Sequence, residues 1–88
     1  MTIKRLDTLL PGESGYIHEI KASDEIKHRL SSLGFLPGEK ITFIRHALTG
    51  DPIEIEIMGY ALGIRRDEAN KIEVTPIPQN KFLNTIKK

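Results

Sequence analysis

The sequence predicts a small, mainly β domain: a barrel of about five short strands with one α-helix inserted after the first strand. Several short stretches alternate apolar with polar residues, as half-buried strands do, and Gly or Pro residues separate them. One stretch, about residues 24–33, instead repeats apolar residues at helical spacing. A barrel suits short strands because it closes or nearly closes the exposed edges of a sheet.

The chain has 88 residues, no cysteine and a net charge of +1. It is long enough for one domain, which we expect at residues 1–75, with 76–88 as a polar, mobile tail. The missing cysteines exclude a disulfide framework, a zinc ribbon and a thiol nucleophile. No apolar run reaches the ~18 residues of a membrane span. We expect a soluble cytoplasmic domain, without direct membrane insertion.

The first half of the chain begins with a short segment, residues 2–10, that we expect to cover the core as a strand or turn. The tetrapeptide Leu-Pro-Gly-Glu then occurs twice, at residues 10–13 and 36–39. Proline presets φ at the second turn position and glycine accepts a positive φ at the third, which predicts two type II turns. Each turn leads into a predicted strand, residues 16–20 and 40–46.

The predicted helix lies between these two turns. Ser23 can cap its N-terminus, and Gly34 fits the left-handed position just past its C-terminus. Phe35 would then reach back to Leu30, the hydrophobic contact that accompanies such a helix end. The apolar face of the helix consists of Ile26, Leu30 and Leu33.

The second half of the chain predicts strands at residues 53–57, 60–64 and 72–74, with a helical turn near 66–70. Met58 and Gly59 form a tight hairpin between the first two of these strands. Gly63 lies inside a strand, which indicates a bend or a close approach of another backbone.

The residue types that carry catalysis or bind cofactors are not arranged for either. The chain has no phosphate-binding loop, no nucleophile elbow and no His-x-x-x-His pair. His18, His28 and His46, together with several glutamates, are of the residue types that bind iron(II), which would make the chain an iron-binding carrier. The missing ligand spacing disfavours that function, so we expect surface histidines and assign no catalytic, cofactor or metal site. Glu54 and Glu56 form a solvated face, or alternatively an acidic contact face.

Three parts of the chain resemble the ferrous iron transport protein A (FeoA) family. They are LSSLGFLPG at residues 30–38, GDPI at 50–53, and RRDEA at 65–69 followed by Ile72 and Val74; LLPGESGYI also fits. The resemblance covers about residues 6–74. The sequence departs from the family pattern at Gly63-Ile64, where Ala-Leu is more usual. It implies an SH3-like barrel and a cytoplasmic accessory of FeoB, the membrane ferrous iron transporter that carries a GTP-binding domain.

Four loop residues are the candidate contacts with that partner: Leu36, Leu48, Arg65 and Arg66. The two leucines are apolar side chains at positions expected to be exposed, and the arginines can form ionic contacts. The arginines can also simply pair with the acidic residues that follow them. Two other functions stay open: a nucleic-acid-binding SH3-like barrel, which the weak net charge disfavours, and a regulatory module like the C-terminal domain of iron-dependent repressors.

Overall fold

The computed structural model describes residues 2–78, which form an antiparallel sheet with two helices. The sheet has six strands in the spatial order β1-β6-β2-β3-β4-β5. The predicted mobility of the tail concerns mostly residues 79–88, which lie outside the described residues. The elements are β1 (Lys4–Arg5), a 3₁₀ turn (Leu6–Thr8), β2 (Ser14–Ile20), α1 (Asp24–Ser32), β3 (Lys40–His46), β4 (Ile53–Ile57), β5 (Tyr60–Ile64), α2 (Arg66–Ala69) and β6 (Ile72–Pro76).

The core lies inside the curved sheet, with α1 and the 3₁₀ turn contributing to it. On β4 the three isoleucines are buried while Glu54 is half-buried and Glu56 is exposed, as the alternating pattern predicts. The sequence predicts about five strands, and the sixth is β1. It has only two residues and lies within the segment 2–10 that we expected to be a strand or turn. The largest buried side chains are Phe35, Phe43, Leu6, Leu30, Ile41, Ile53, Ile55, Ile57, Ile72 and Val74.

The predicted start and end of α1 are confirmed. The Ser23 hydroxyl accepts a hydrogen bond from the Ile26 N–H at 3.3 Å. Gly34 has φ +102°, and the Phe35 N–H donates to the Leu30 carbonyl at 3.1 Å. The Gly34 N–H donates to Ser31 at 3.0 Å, which completes a Schellman motif.

Both Leu-Pro-Gly-Glu turns have the predicted geometry. Gly12 and Gly38 have φ values of 91° and 92°. The Glu13 N–H donates to the Leu10 carbonyl at 2.9 Å, and the same bond closes the second turn at 3.0 Å. These turns place β2 and β3 side by side, because each is followed directly by its strand.

One sequence-based expectation about packing is wrong, and a second is narrowed. Leu33 was expected on the buried face of α1, but 40% of it is exposed, since it is the C-cap residue that follows the last helical residue, Ser32. Gly63 was expected at a bend or at a close approach of another backbone, and the close approach is not there: a Cβ would lie 3.8 Å from the nearest backbone atom, an ordinary contact. The close approach is at Gly15, where a Cβ would lie 2.9 Å from the Thr75 carbonyl oxygen.

Strand β2 contains a β-bulge. Ile17 pairs with Val74 of β6 and Glu19 pairs with Glu73, so that His18 is an extra residue without a partner in the register. His18 and Glu19 are consequently both exposed, between the buried side chains of Ile17 and Ile20. No helix within residues 2–78 is long and apolar enough to cross a membrane.

Candidate functional site

Four partly exposed apolar residues lie around the point where the β4–β5 hairpin contacts the end of α1. We call this group the apolar corner: Leu33 and Leu36 after the helix, Met58 in the hairpin and Tyr60 at the start of β5. Their exposed fractions are 40%, 44%, 62% and 43%. Adjacent exposed apolar side chains are the surface feature that most often marks a contact with another protein.

Two contacts hold the corner together. The Tyr60 hydroxyl donates a hydrogen bond to the Leu33 carbonyl oxygen, which ties the hairpin to the end of the helix. The Met58 side chain lies over Gly34, because a Cβ at Gly34 would be only 2.7 Å from the Met58 sulfur. Leu36 belongs to the same chain reversal, with its N–H donating to the Gly34 carbonyl at 2.9 Å.

The backbone conformation of the hairpin exposes the Met58 side chain. Met58 has φ 52° and Gly59 has φ 83°, the two positive values of a type I′ turn. Such a turn joins the two strands through only two residues, Met58 and Gly59, so Met58 stands at the tip of the sheet. A cleft of ≈ 350 Å³ lies beside it and is lined mainly by polar side chains, among them Glu39, Lys40 and Glu56. The corner therefore has a charged rim of both signs.

The other residues predicted for partner binding lie at the opposite end of β4. Leu48 is fully exposed in the loop between β3 and β4, and Arg65 is exposed beside Asp51 and Pro52 of the same loop. Strand β4 separates this loop from the hairpin by five residues, roughly 15 Å of extended chain. The structure thus places Leu36 beside Gly34, which the hairpin contacts through Met58, while Leu48 and Arg65 lie at the other end of β4.

Arg66 has a structural role. Its guanidinium donates to the carbonyl oxygens of Gly50 and Asp7, the latter at 3.1 Å. Its backbone N–H donates to the Asp51 carboxylate at 3.0 Å. Arg66 therefore fixes the β3–β4 loop to the 3₁₀ turn, which leaves its side chain little freedom for a partner.

Sequence similarity identifies the relatives of this chain. Residues 4–76 match the family described as the FeoA domain.

The chain belongs to the FeoA family.

A relative in Porphyromonas gingivalis is named as a fusion of Fe(2+) transport protein A with the Fe(2+) transporter FeoB. It is 34% identical over 76 residues, which are 86% of this chain and 9% of that protein. The chain therefore spans only a small part of the fusion protein. The FeoA family is accordingly associated with ferrous iron transport, and one member is fused to FeoB.

Solved structures of FeoA proteins share the fold. The solution structure of FeoA from Chlorobium tepidum is 33% identical with a TM-score of 0.80, covering 86% of this chain and 72% of that one. FeoA from Stenotrophomonas maltophilia, described as a prokaryotic SH3 domain protein complexed with zinc, is 23% identical with a TM-score of 0.71, covering 85% and 96%. The fold of the FeoA chain is thus SH3-like, as the family resemblance implies.

Three members of the corner of this FeoA chain were missed by sequence reasoning. Leu33 was assigned to the core, Met58 to a turn and Tyr60 to an alternating strand. The signal that could have found them is the hairpin: a two-residue turn with Met in a left-handed position exposes that side chain. Nothing in the sequence spacing shows that the hairpin reaches the end of α1, where Tyr60 contacts Leu33, 27 residues earlier.

A second group in the FeoA chain has a different chemistry. His18, Glu19 and Glu73 each offer one ligand atom, and these atoms lie within 4.8 Å of one another. His28 and His46 are exposed elsewhere, on α1 and at the end of β3. The sequence pattern could not bring His18 and Glu19 to one face, since adjacent residues of a regular strand point to opposite faces.

Proposed function

We propose that this chain is a cytoplasmic accessory of ferrous iron uptake that binds a FeoB-type transporter through its apolar corner and acts by contact, not by catalysis. The observation that carries the proposal is the fusion relative, in which an FeoA-like part and a FeoB part form one polypeptide. Fusion holds two domains at high local concentration, which favours domains that contact one another in their work.

The composition of the corner supports its choice as that surface. Leu, Met and Tyr side chains surrounded by charges of both signs resemble the centre and rim of protein interfaces. Tyrosine and methionine are enriched at interfaces because they offer large apolar area, and tyrosine adds a hydroxyl. The net charge of +1 gives no long-range attraction, so local contacts have to supply the affinity.

The Leu48 and Arg65 end of the barrel is the competing surface. Leu48 is a single apolar side chain on a loop tip, and exposed single apolar residues are common on protein surfaces. The corner offers four such side chains held by a hydrogen bond and a packed methionine. It is therefore the better candidate for a desolvated anchor.

The test is a binding measurement between the full chain and the FeoB-type transporter of the source cell, in detergent or in a lipid nanodisc. Leu36→Asp and Met58→Asp should each weaken binding about thirtyfold or more, the loss of about 2 kcal/mol expected at an interface anchor. Leu48→Asp and Arg65→Glu serve as variants of the opposite end, and NMR checks each fold.

The outcome distinguishes the surfaces. If the corner variants bind normally while Leu48→Asp or Arg65→Glu does not, the docking surface is the loop end. If all variants bind normally, the contact lies elsewhere, with Glu56 and the exposed side of α1 as the next choice. If the chain binds RNA or DNA at moderate salt and no transporter, the nucleic-acid function is correct. GTP hydrolysis by the purified chain that a point substitution abolishes would contradict a purely binding role.

A further inference from the structure

The geometry points to a metal site at the β2 bulge: we propose that His18, Glu19 and Glu73 bind one divalent first-row transition-metal ion, such as Fe²⁺ or Zn²⁺. The site is separate from the apolar corner and does not depend on the docking proposal. It departs from our expectation of no metal site and gives exposed His18 a role that only the strand register suggests.

The bulge is what assembles the three side chains. In a regular strand His18 and Glu19 would point to opposite faces, one inward and one outward. The bulge sets both residues opposite the single residue Glu73. Both therefore project to the solvent side, next to a carboxylate of the neighbouring strand, and their ligand atoms come within 4.8 Å of one another.

The chemistry of these donors selects the class of metal. An imidazole nitrogen suits Zn²⁺, Fe²⁺, Ni²⁺ and Cu²⁺ but has little affinity for Mg²⁺ or Ca²⁺, which prefer oxygen ligands. Two carboxylates add charge and leave the remaining positions to water. Ligand bonds of about 2.1 Å at tetrahedral angles separate neighbouring donor atoms by about 3.4 Å. Closing from 4.8 Å to that distance needs rotamer shifts of roughly 1 Å, which exposed side chains can make.

The charged groups around the bulge are arranged so that the carboxylates remain available. Arg5 of β1 is paired with Glu73 in the strand register. Its guanidinium nitrogen nevertheless lies 3.2 Å from the Asp7 carboxylate, so Arg5 forms its ion pair with Asp7. The Lys21 ammonium lies 3.9 Å from Glu19, an exposed and weak ion pair. Three ligands bind a divalent ion more strongly than Glu19 alone binds the Lys21 ammonium. The ion therefore displaces Lys21 from Glu19.

The test titrates the full chain with Zn²⁺, and separately with paramagnetic Mn²⁺, while NMR records each amide signal. Saturable binding of one ion should shift or broaden residues 17–20 and 72–74. His18→Asn and Glu73→Gln should each weaken Zn²⁺ binding at least about tenfold, as loss of a direct ligand costs no less than loss of a supporting one. Mg²⁺ should cause no comparable change.

Matched controls are available on the same barrel. His46→Asn and Glu56→Gln remove an exposed histidine and an exposed glutamate outside the bulge, and should leave Zn²⁺ binding unchanged. Because all these side chains are exposed or half-buried, the variants should fold, and the rest of the spectrum verifies it. If His18→Asn binds Zn²⁺ as the natural chain does, or if the controls weaken binding equally, the proposal is wrong and the ion is held by diffuse surface charge.

Discussion

At the scale of single residues, Gly34 serves both the helix and the apolar corner. Its φ of +102° ends α1, and its missing side chain makes room for Met58. We predict that Gly34→Ala costs about 1–2 kcal/mol of unfolding free energy, since a Cβ is disfavoured in the left-handed region. The new methyl group should also displace Met58, whose sulfur is only 2.7 Å from the added atom.

Gly38→Ala is the matched control for that substitution. Gly38 has a similar φ of 92°, but a Cβ there would meet nothing within 4 Å. Both variants should melt at a lower temperature, while only Gly34→Ala should shift the NMR signal of the Met58 methyl group. An unchanged Met58 signal would show that the methionine does not pack over Gly34.

Two neighbouring arginines should respond very differently to truncation. Arg66→Ala removes side-chain hydrogen bonds to the Gly50 and Asp7 carbonyls, and bonds with a charged donor contribute about 1.5–3 kcal/mol each. Arg66 is half-buried, and solvent screening reduces that value, so we expect a loss of about 1–3 kcal/mol. Arg65→Ala, an exposed position, should stay within about 0.5 kcal/mol. Urea unfolding of both variants measures the difference, and equal values would contradict the role of Arg66.

At the scale of elements, the tie between the β4–β5 hairpin and α1 depends on one hydroxyl. Tyr60→Phe removes the hydrogen bond to the Leu33 carbonyl and keeps the apolar ring. Because that carbonyl can turn to water, we expect a loss of only about 0.5–1.5 kcal/mol, with faster hydrogen exchange of the hairpin amides. Tyr16→Phe on β2 is the control, and equal exchange rates in the two variants would show that the tie is unimportant.

Local signals in the sequence predict the elements well, and contacts between elements poorly. The N-cap at Ser23, the stop at Gly34 and the paired Pro-Gly turns are decided within a few residues, so the sequence shows them. The bulge at His18 depends on how β2 pairs with β6, more than 50 residues later. The contact of Met58 with Gly34 likewise depends on the whole barrel. Of the four residues of the apolar corner, the sequence therefore predicts only Leu36 as a contact residue.

Salt bridges between elements show the same limit. Glu25 and Arg29 of α1 are four residues apart, a spacing that favours an ion pair along a helix. In the structure the Arg29 guanidinium pairs instead with Glu68 of α2. That partner comes from the other end of the chain, where no helical periodicity can indicate it. An exposed pair of this kind adds at most about 1 kcal/mol.

At the scale of the whole molecule, the near-neutral charge predicts how binding responds to salt. The proposed transporter complex should change its Kd less than about threefold between roughly 50 and 200 mM salt, because an apolar contact releases few ions. A nucleic-acid complex with six to ten phosphate contacts would weaken about 10³–10⁵-fold over that range. Titrations at both concentrations separate the two functions, and a steep salt dependence would count against the apolar corner.

The hydrogen bond between Tyr60 and Leu33, together with the Schellman end of α1, has a consequence for timing. The corner already has its shape in the free chain, so an encounter does not wait for a segment to fold. Formation of a complex should then run at the ordinary rate for two rigid surfaces, about 10⁵–10⁷ M⁻¹ s⁻¹. Substitutions at Leu36 or Met58 should leave the association rate unchanged and raise the dissociation rate. These two side chains therefore set how long each complex lasts.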